Sequence, residues 1–162
     1  MTDEDFIREA IEAGKAAENN TTGALPLGAV LVKDGKIIVR SMSLPWEQRD
    51  ATNHAEIDCI RAAAKEAGLK DLAGCTLYGV VEPCSMCFGA CLWSGVERVV
   101  FGAYASDIAA NPYEHDNYNV ETLAKTGHTF DGRHIQVTSG VLREECTALL
   151  NGYKGWVKQG AS

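Results

Sequence analysis

Residues 76–102, TLYGVVEPCSMCFGACLWSGVERVVFG, determine the fold class of this chain. The apolar run 76–81 is typical of a buried strand, and Pro83 ends it because proline cannot donate to a sheet hydrogen bond. Residues 84–93 are mostly apolar over about three helical turns, which predicts a helix. A second apolar run, 98–102, predicts another strand. A strand, a helix and a further strand form a parallel crossover unit, so the sequence predicts an α/β protein.

The segments on either side of this unit add helices and a hairpin. Apolar residues recur at helical spacing over 3–19, and the Asp-Gly pair at 34–35, between two apolar runs, is a strong hairpin signal. The connection 103–118 is long enough to suggest a functional loop. We therefore expect one mixed sheet with helices on both faces, in a single domain spanning 1–162. The other predicted elements are strands at 28–32, 37–39 and 135–138, helices at 53–67 and 141–153, and a polar irregular stretch at 42–52.

The composition excludes several classes of protein. With 162 residues, of which 46% are hydrophobic and 23% charged, the chain has neither the low hydrophobicity nor the high charge of a disordered protein. No stretch approaches the roughly 20 apolar residues of a membrane helix, and the acidic N-terminus does not resemble a signal peptide, so we expect a cytoplasmic protein without membrane partners. Its six cysteines are then expected to be reduced thiols, available for metal binding or burial.

The net charge of the chain bears on its partner. The sequence has 15 basic and 22 acidic residues, which gives a net charge of −7. Binding to a phosphate backbone needs clustered lysine and arginine side chains. The composition therefore favours a small neutral substrate over a nucleic acid.

Two short segments carry the residue types of a metal centre. Cys84 and Cys87 stand at the start of a predicted helix, where the helix N-terminus lowers the pKa of thiols. With His54 they supply three ligands for tetrahedral zinc, and three ligands leave a fourth position for water, as in catalytic sites. Glu56 is placed to reach that water without being a ligand and to act as general acid and base. The alternative is a zinc-stabilised binding module without enzymatic activity.

The order and spacing of these motifs resemble the cytidine deaminase superfamily of zinc hydrolases. The triplet His-Ala-Glu at 54–56 is followed, after 26 intervening residues, by Pro-Cys-x-x-Cys at 83–87. The resemblance implies a three-layer α/β/α sandwich with a mixed five-stranded sheet, assembled as a homodimer or larger oligomer. It also implies attack by zinc-bound hydroxide on an amino-bearing ring carbon, with release of ammonia and with Glu56 as proton shuttle. The residues that it assigns to zinc are His54, Cys84 and Cys87.

The resemblance also points to a class of substrate. Residues 87–93, which end in Trp93, are similar to bacterial guanine deaminases. The loop 106–116 matches the same family by residue type, with Tyr113 to stack on a purine and Glu114 to bond its edge. A purine base such as guanine is therefore the expected substrate. The alternatives are another amino-heterocycle (cytosine, a triazine-like base or a nucleoside) and the adenosine of a tRNA.

Two positions depart from the family pattern. Relatives often carry an asparagine that bonds the base eleven residues before the zinc histidine, whereas this chain has Ser43, which has a shorter reach. Asn53 stands where a small apolar residue is common, and it is either a substrate contact or a cap for the helix that follows. In relatives the backbone N–H at the position of Ala55 contacts a ring carbonyl. The candidate substrate contacts are thus Ser43, Asn53, Ala55, Trp93, Tyr113 and Glu114.

Overall fold

The described part of the chain contains five helices and five strands, which alternate except at the hairpin of the first two strands. The computed structural model describes residues 1–16, 25–44, 48–66, 68, 71–109 and 119–153. The helices are α1 (Asp3–Lys15), α2 (Ala55–Glu66), α3 (Ser85–Ser94), α4 (Val120–Thr126) and α5 (Arg143–Gly152), with a 3₁₀ turn at Ala105–Asp107. The strands are β1 (Leu25–Lys33), β2 (Lys36–Ser43), β3 (Cys75–Val81), β4 (Arg98–Ala103) and β5 (Gln136–Thr138). None of the described helices has the length and apolar character needed to cross a membrane.

The five strands form one mixed sheet in the order β2-β1-β3-β4-β5. β1 runs antiparallel to both β2 and β3, whereas β3, β4 and β5 are parallel, with Leu77 opposite Val99. The crossover unit predicted from residues 76–102 is therefore β3-α3-β4. The mixed five-stranded sheet is confirmed, and the single domain over 1–162 stays a prediction.

The hairpin between β1 and β2 confirms the prediction made from its turn. Asp34 and Gly35 have φ angles of 50° and 71°, and positive φ at both central residues is the requirement of the two-residue turn that matches strand twist. β2 continues to Ser43, beyond the predicted 37–39, so the irregular stretch begins later than expected. The extension is polar but ordered, because Ser41 and Ser43 lie on its buried face and Ser41 donates to Asp58 at 2.6 Å.

Helices cover both faces of the sheet, which gives the three-layer sandwich. Because successive strand residues point to opposite faces, the three central strands β1, β3 and β4 are buried on both sides and mostly apolar, whereas the edge strands β2 and β5 are partly exposed. One core contains residues of α1 and α5 packed on Val30, Tyr78 and Val100. The other contains residues of α2, α3 and α4 packed on Leu31, Leu77 and Val99.

The first helix lies unusually close to the sheet. A Cβ atom at Gly28 in β1 would be only 2.0 Å from the carbonyl oxygen of Ala10 in α1, so glycine is required there. α1 begins at a capping box in which Thr2 and Asp5 bond each other's backbone N–H groups. It ends at Lys15, before the predicted position 19, and residues 17–20 lie outside the described chain.

Helix α4 was not predicted from the sequence. It has seven residues, which is too short for a helical period to stand out, and only Val120 and Ala124 are buried. Asn119 caps it by accepting from the backbone N–H of Thr122 at 2.9 Å. The ends of the predicted helices and strands otherwise differ from the observed ones mostly by one or two residues, apart from β1, which begins at Leu25.

Candidate metal centre and active site

The three proposed ligands meet where two helices begin. Cys84 is the N-cap of α3, and its carbonyl accepts from the N–H of Phe88 at 2.9 Å. His54 precedes α2 in the same way, and its carbonyl accepts from Asp58 at 2.9 Å. Since β3 runs directly into the turn that carries Cys84, the sheet holds one helix start and the packing of α2 on the sheet brings the other to it.

The distances among the ligand atoms fit a tetrahedral zinc ion. The Nδ1 atom of His54 is 3.6 Å from the Sγ atom of Cys84 and 3.5 Å from that of Cys87, and the two sulfurs are 3.5 Å apart. Tetrahedral zinc with ordinary bond lengths separates sulfur from nitrogen by about 3.5 Å and sulfur from sulfur by about 3.8 Å. The set is therefore the right size and chemistry for zinc. The other cysteines are free and buried: Cys59, Cys75, Cys91 and Cys146.

The electrostatics of the cluster favour a thiolate at Cys84. Its hydrogen bond with Cys87, together with the bond to His54 and the backbone N–H of Cys87, lowers the pKa of the Cys84 thiol to about 4 despite burial. The contact with Cys84 in turn raises the pKa of His54. A thiolate at a helix N-terminus is the form in which cysteine binds metal.

Glu56 lies inside the cluster without being needed as a ligand. Its side chain is almost fully buried, and its Oε2 atom is 3.5 Å from the Sγ of Cys87. Burial raises the pKa of this carboxyl group, the direction expected of a residue that exchanges protons near neutral pH.

Ser43 contacts Asn53, the residue that precedes His54. Ser43 is fully buried, and its hydroxyl donates to the backbone carbonyl of Asn53 at 3.3 Å. The side chain of Asn53 does not cap α2. Its Oδ1 atom accepts from the backbone N–H of Leu44 at 3.2 Å, at the end of β2.

The remaining substrate candidates have different environments. Ala55 is buried at the first position of α2, where the N–H has no partner within the helix. Trp93 is 74% exposed near the end of α3 and packs edge-on against the exposed ring of Phe130, with centroids 4.8 Å apart. Tyr113 and Glu114 lie outside the described residues.

Glu82 is a residue of the site region whose role the sequence did not reveal. Its side chain is buried, one oxygen accepts from the N–H of Ala105 at 3.2 Å, and the other accepts from Val120 at 3.1 Å. It therefore fastens the 3₁₀ turn and the start of α4 to the turn that carries Cys84. An acidic residue directly after an apolar strand is the available signal, but its partners are 23 and 38 residues away.

Most arginine side chains are paired with carboxylates of the same chain. The sequence has seven arginines, all in described segments, and six of them form ion pairs; the exception is Arg49. The pairs are Arg8 with Glu4, Asp5 and Glu145, Arg40 with Glu9, Arg61 with Asp50, Arg98 with Asp3, Arg133 with Asp131, and Arg143 with Asp107. In the described chain, the guanidinium charge is thus largely compensated locally.

Comparison with known proteins identifies the family. Residues 1–103 match the cytidine and deoxycytidylate deaminase zinc-binding region. The chain is 38% identical over 156 residues to a tRNA-specific adenosine deaminase of Bacillus subtilis, covering 93% of this chain and 88% of the relative. It is 38% identical over 138 residues to a guanine deaminase of the same organism, covering 85% and 87%.

A solved structure agrees with these relatives in fold. The guanine deaminase from Nitrosomonas europaea is 29% identical, with a TM-score of 0.77 over 93% of this chain and 83% of that chain. The family match spans both proposed zinc motifs, and the ligand distances described above are those that zinc requires. The chain therefore belongs to the cytidine and deoxycytidylate deaminase family and is a zinc-dependent hydrolytic deaminase.

Proposed function

We propose that this chain deaminates a free purine base of the guanine type, exchanging an exocyclic amino group for oxygen and releasing ammonia. The observation that carries the reaction is the position of Glu56, buried within the cluster of His54, Cys84 and Cys87 but not needed to complete it. A structural zinc module has no use for a carboxylate there. A hydrolytic deaminase needs one.

In this proposal His54, Cys84 and Cys87 hold zinc, and Glu56 moves protons. Zinc, when bound, supplies the Lewis acidity that makes water a nucleophile near neutral pH. Glu56 accepts a proton from the attacking water. It passes that proton to the ring nitrogen beside the attacked carbon, and it then takes the remaining proton of the added hydroxyl and gives it to the departing amine, so that amine and water become carbonyl and ammonia. The buried position of Glu56 keeps bulk water from competing for these protons.

Charge supports a free base over a polynucleotide. A nucleic-acid partner is held by lysine and arginine on its phosphates, and a guanidinium already paired with a carboxylate is less available for that contact. Six of the seven arginines are paired in this way, and the chain carries a net charge of −7. A neutral purine needs no such contacts. It also agrees with the guanine deaminases among the relatives.

The second candidate is deamination of a tRNA adenosine. The similarity to tRNA-specific adenosine deaminases, which extends over 93% of this chain, favours it. It predicts binding to tRNA that weakens steeply with salt, because the phosphate contacts release counterions. It also predicts formation of inosine in tRNA.

One experiment separates the two candidates. Zinc-loaded protein is incubated with guanine, adenine, 2,6-diaminopurine, cytosine, a triazine amine and unmodified tRNA; ammonia and inosine are measured, and tRNA binding is measured at increasing salt concentration. We expect ammonia from a purine base and no salt-sensitive tRNA binding. Inosine in tRNA without turnover of any free base would overturn the proposal in favour of the second candidate. Turnover of cytosine or the triazine alone would overturn the choice of a purine.

A further inference from the structure

The Asn53 side chain is held by one of its two polar atoms. Oδ1 accepts from the backbone N–H of Leu44 at 3.2 Å. This bond determines which way the amide faces, because the reversed amide would set its NH2 group against the N–H of Leu44, which also bonds the backbone carbonyl of Asn53 at 3.3 Å. The planar amide nitrogen is therefore turned away from the end of β2.

The amide nitrogen of Asn53 has two N–H groups to donate. It donates to no residue in the described segments, although the side chain is only 6% exposed. In those segments every fully shielded side-chain nitrogen or oxygen has a partner, so this nitrogen keeps some solvent-accessible surface. A nearly buried donor without a partner calls for an explanation, since such groups are rare in native proteins.

The position of Asn53 connects this donor to the active site. It immediately precedes His54, the residue whose Nδ1 atom lies 3.5 Å and 3.6 Å from the two cysteine sulfurs. Ser43, the neighbouring polar residue, is fully buried and already donates its hydroxyl proton to Asn53. Of the two, Asn53 alone retains a donor for a ligand.

We infer that Asn53 is a specificity-determining residue, which donates from its amide nitrogen to an acceptor atom of the substrate heterocycle, a ring nitrogen or a carbonyl oxygen. This rests on the proposed function, in which the cluster beside it acts on a purine base. A fixed donor at Asn53 favours substrate rings that present an acceptor atom to the amide nitrogen. It disfavours rings that present an N–H there, since two donors would then face each other.

The test compares Asn53→Asp with Asn53→Ala. Asp keeps an oxygen for the N–H of Leu44 and removes the two donors, whereas Ala removes both functions. We expect Asn53→Asp to raise KM for the base by about tenfold or more, the scale of one lost hydrogen bond to a buried group, with kcat within about threefold of wild type. Zinc content and Tm are expected to stay close to wild type in Asn53→Asp, and Tm to fall in Asn53→Ala.

A neighbouring substitution provides the control. Thr52 is exposed, and its hydroxyl bonds only Asp50 and Arg61, so Thr52→Ala is expected to leave KM unchanged. A wild-type KM in Asn53→Asp would overturn the inference. If the wild type deaminates a purine and Asn53→Asp has a wild-type KM, the proposed function stands and the role of Asn53 is wrong. If the protein deaminates a different amine and no purine, and Asn53→Asp raises KM for that amine, the role of Asn53 stands and the proposed purine substrate is wrong.

Discussion

The two helical layers of the sandwich differ in what their polar side chains contact. In the layer of α1 and α5, Asp3 is bonded by Arg98 and by the hydroxyl of Tyr78, which closes a network between helix and sheet. In the opposite layer, the starts of α2 and α3 bring an imidazole, two thiols and the carboxylate of Glu56 to one point. The difference implies that substitutions in the first layer change stability, whereas those at the second change reaction rate.

The strongest test of this division is Glu56→Gln. The amide keeps the size of the side chain but cannot take up a proton, so kcat is expected to fall by about 10²- to 10⁴-fold. Zinc content, measured by atomic absorption, and Tm are expected to change little. Glu66→Gln, at the exposed end of the same helix, is the matched control and should retain full activity. Substantial activity in Glu56→Gln would contradict the assignment of proton transfer to this residue.

In the layer of α1 and α5, Ile7→Ala is expected to have the largest effect on stability. Ile7 is completely buried in the core between α1 and the sheet. Truncation of such a side chain costs about 2–4 kcal/mol of unfolding free energy. Urea denaturation measures the loss, and kcat and KM well below the melting temperature are expected to match wild type. Arg8→Ala, an exposed neighbour, is expected to cost less than about 1 kcal/mol. A folded Ile7→Ala protein with altered KM would show that the layers are coupled.

Glu82→Gln tests the residue that joins the 3₁₀ turn and the start of α4 to the turn that carries Cys84. The amide group of Gln can accept at only one of the two backbone N–H groups now bound, those of Ala105 and Val120. Leaving the other unsatisfied is expected to cost about 1–3 kcal/mol, measured by chemical denaturation. Glu97→Gln is the comparison, because Glu97 also accepts a backbone N–H, that of Gly74, but is exposed. Equal losses in the two variants would mean that burial of Glu82 is unimportant.

The smallest expected effect is the pH-dependent stability that Asp3 provides. The hydrogen bond from Arg98 lowers the pKa of Asp3 below 3.8, so the folded protein binds this proton less readily than the unfolded chain. Its stabilisation is therefore complete well above pH 4 and is lost as the pH falls through the folded pKa.

Asp3→Asn is expected to remove about 1 kcal/mol at pH 7, and progressively less in acid. Unfolding by urea at pH 7, 5 and 3 for both proteins measures this. A stability difference that stays constant across the three pH values would contradict the role of the Asp3 charge.

The sequence predicted elements well where a local pattern was strong. The hairpin followed from Asp34 and Gly35, because their turn demands positive φ angles that few other residues adopt. The β3-α3-β4 crossover followed from apolar runs buried on both faces. Helix α4 and the end of β2 escaped prediction, because a short helix and a polar edge strand are stabilised by contacts with the rest of the fold. Ser43, for example, is fully buried and bonds the backbone carbonyl of Asn53, ten residues away along the chain.

By itself the sequence determined which residues could form the metal cluster. Few residue types bind zinc, and the spacings His-x-Glu and Cys-x-x-Cys at helix starts keep their side chains together whatever the fold around them. Tertiary structure decided how the neighbouring polar groups are used. In the folded chain the hydroxyl of Ser43 bonds the backbone of Asn53, the amide nitrogen of Asn53 remains available as a donor, and the carboxylate of Glu82 accepts from two distant N–H groups. These outcomes depend on partners 9 to 38 residues away along the chain, and which partner a polar atom meets is settled only when the layers pack.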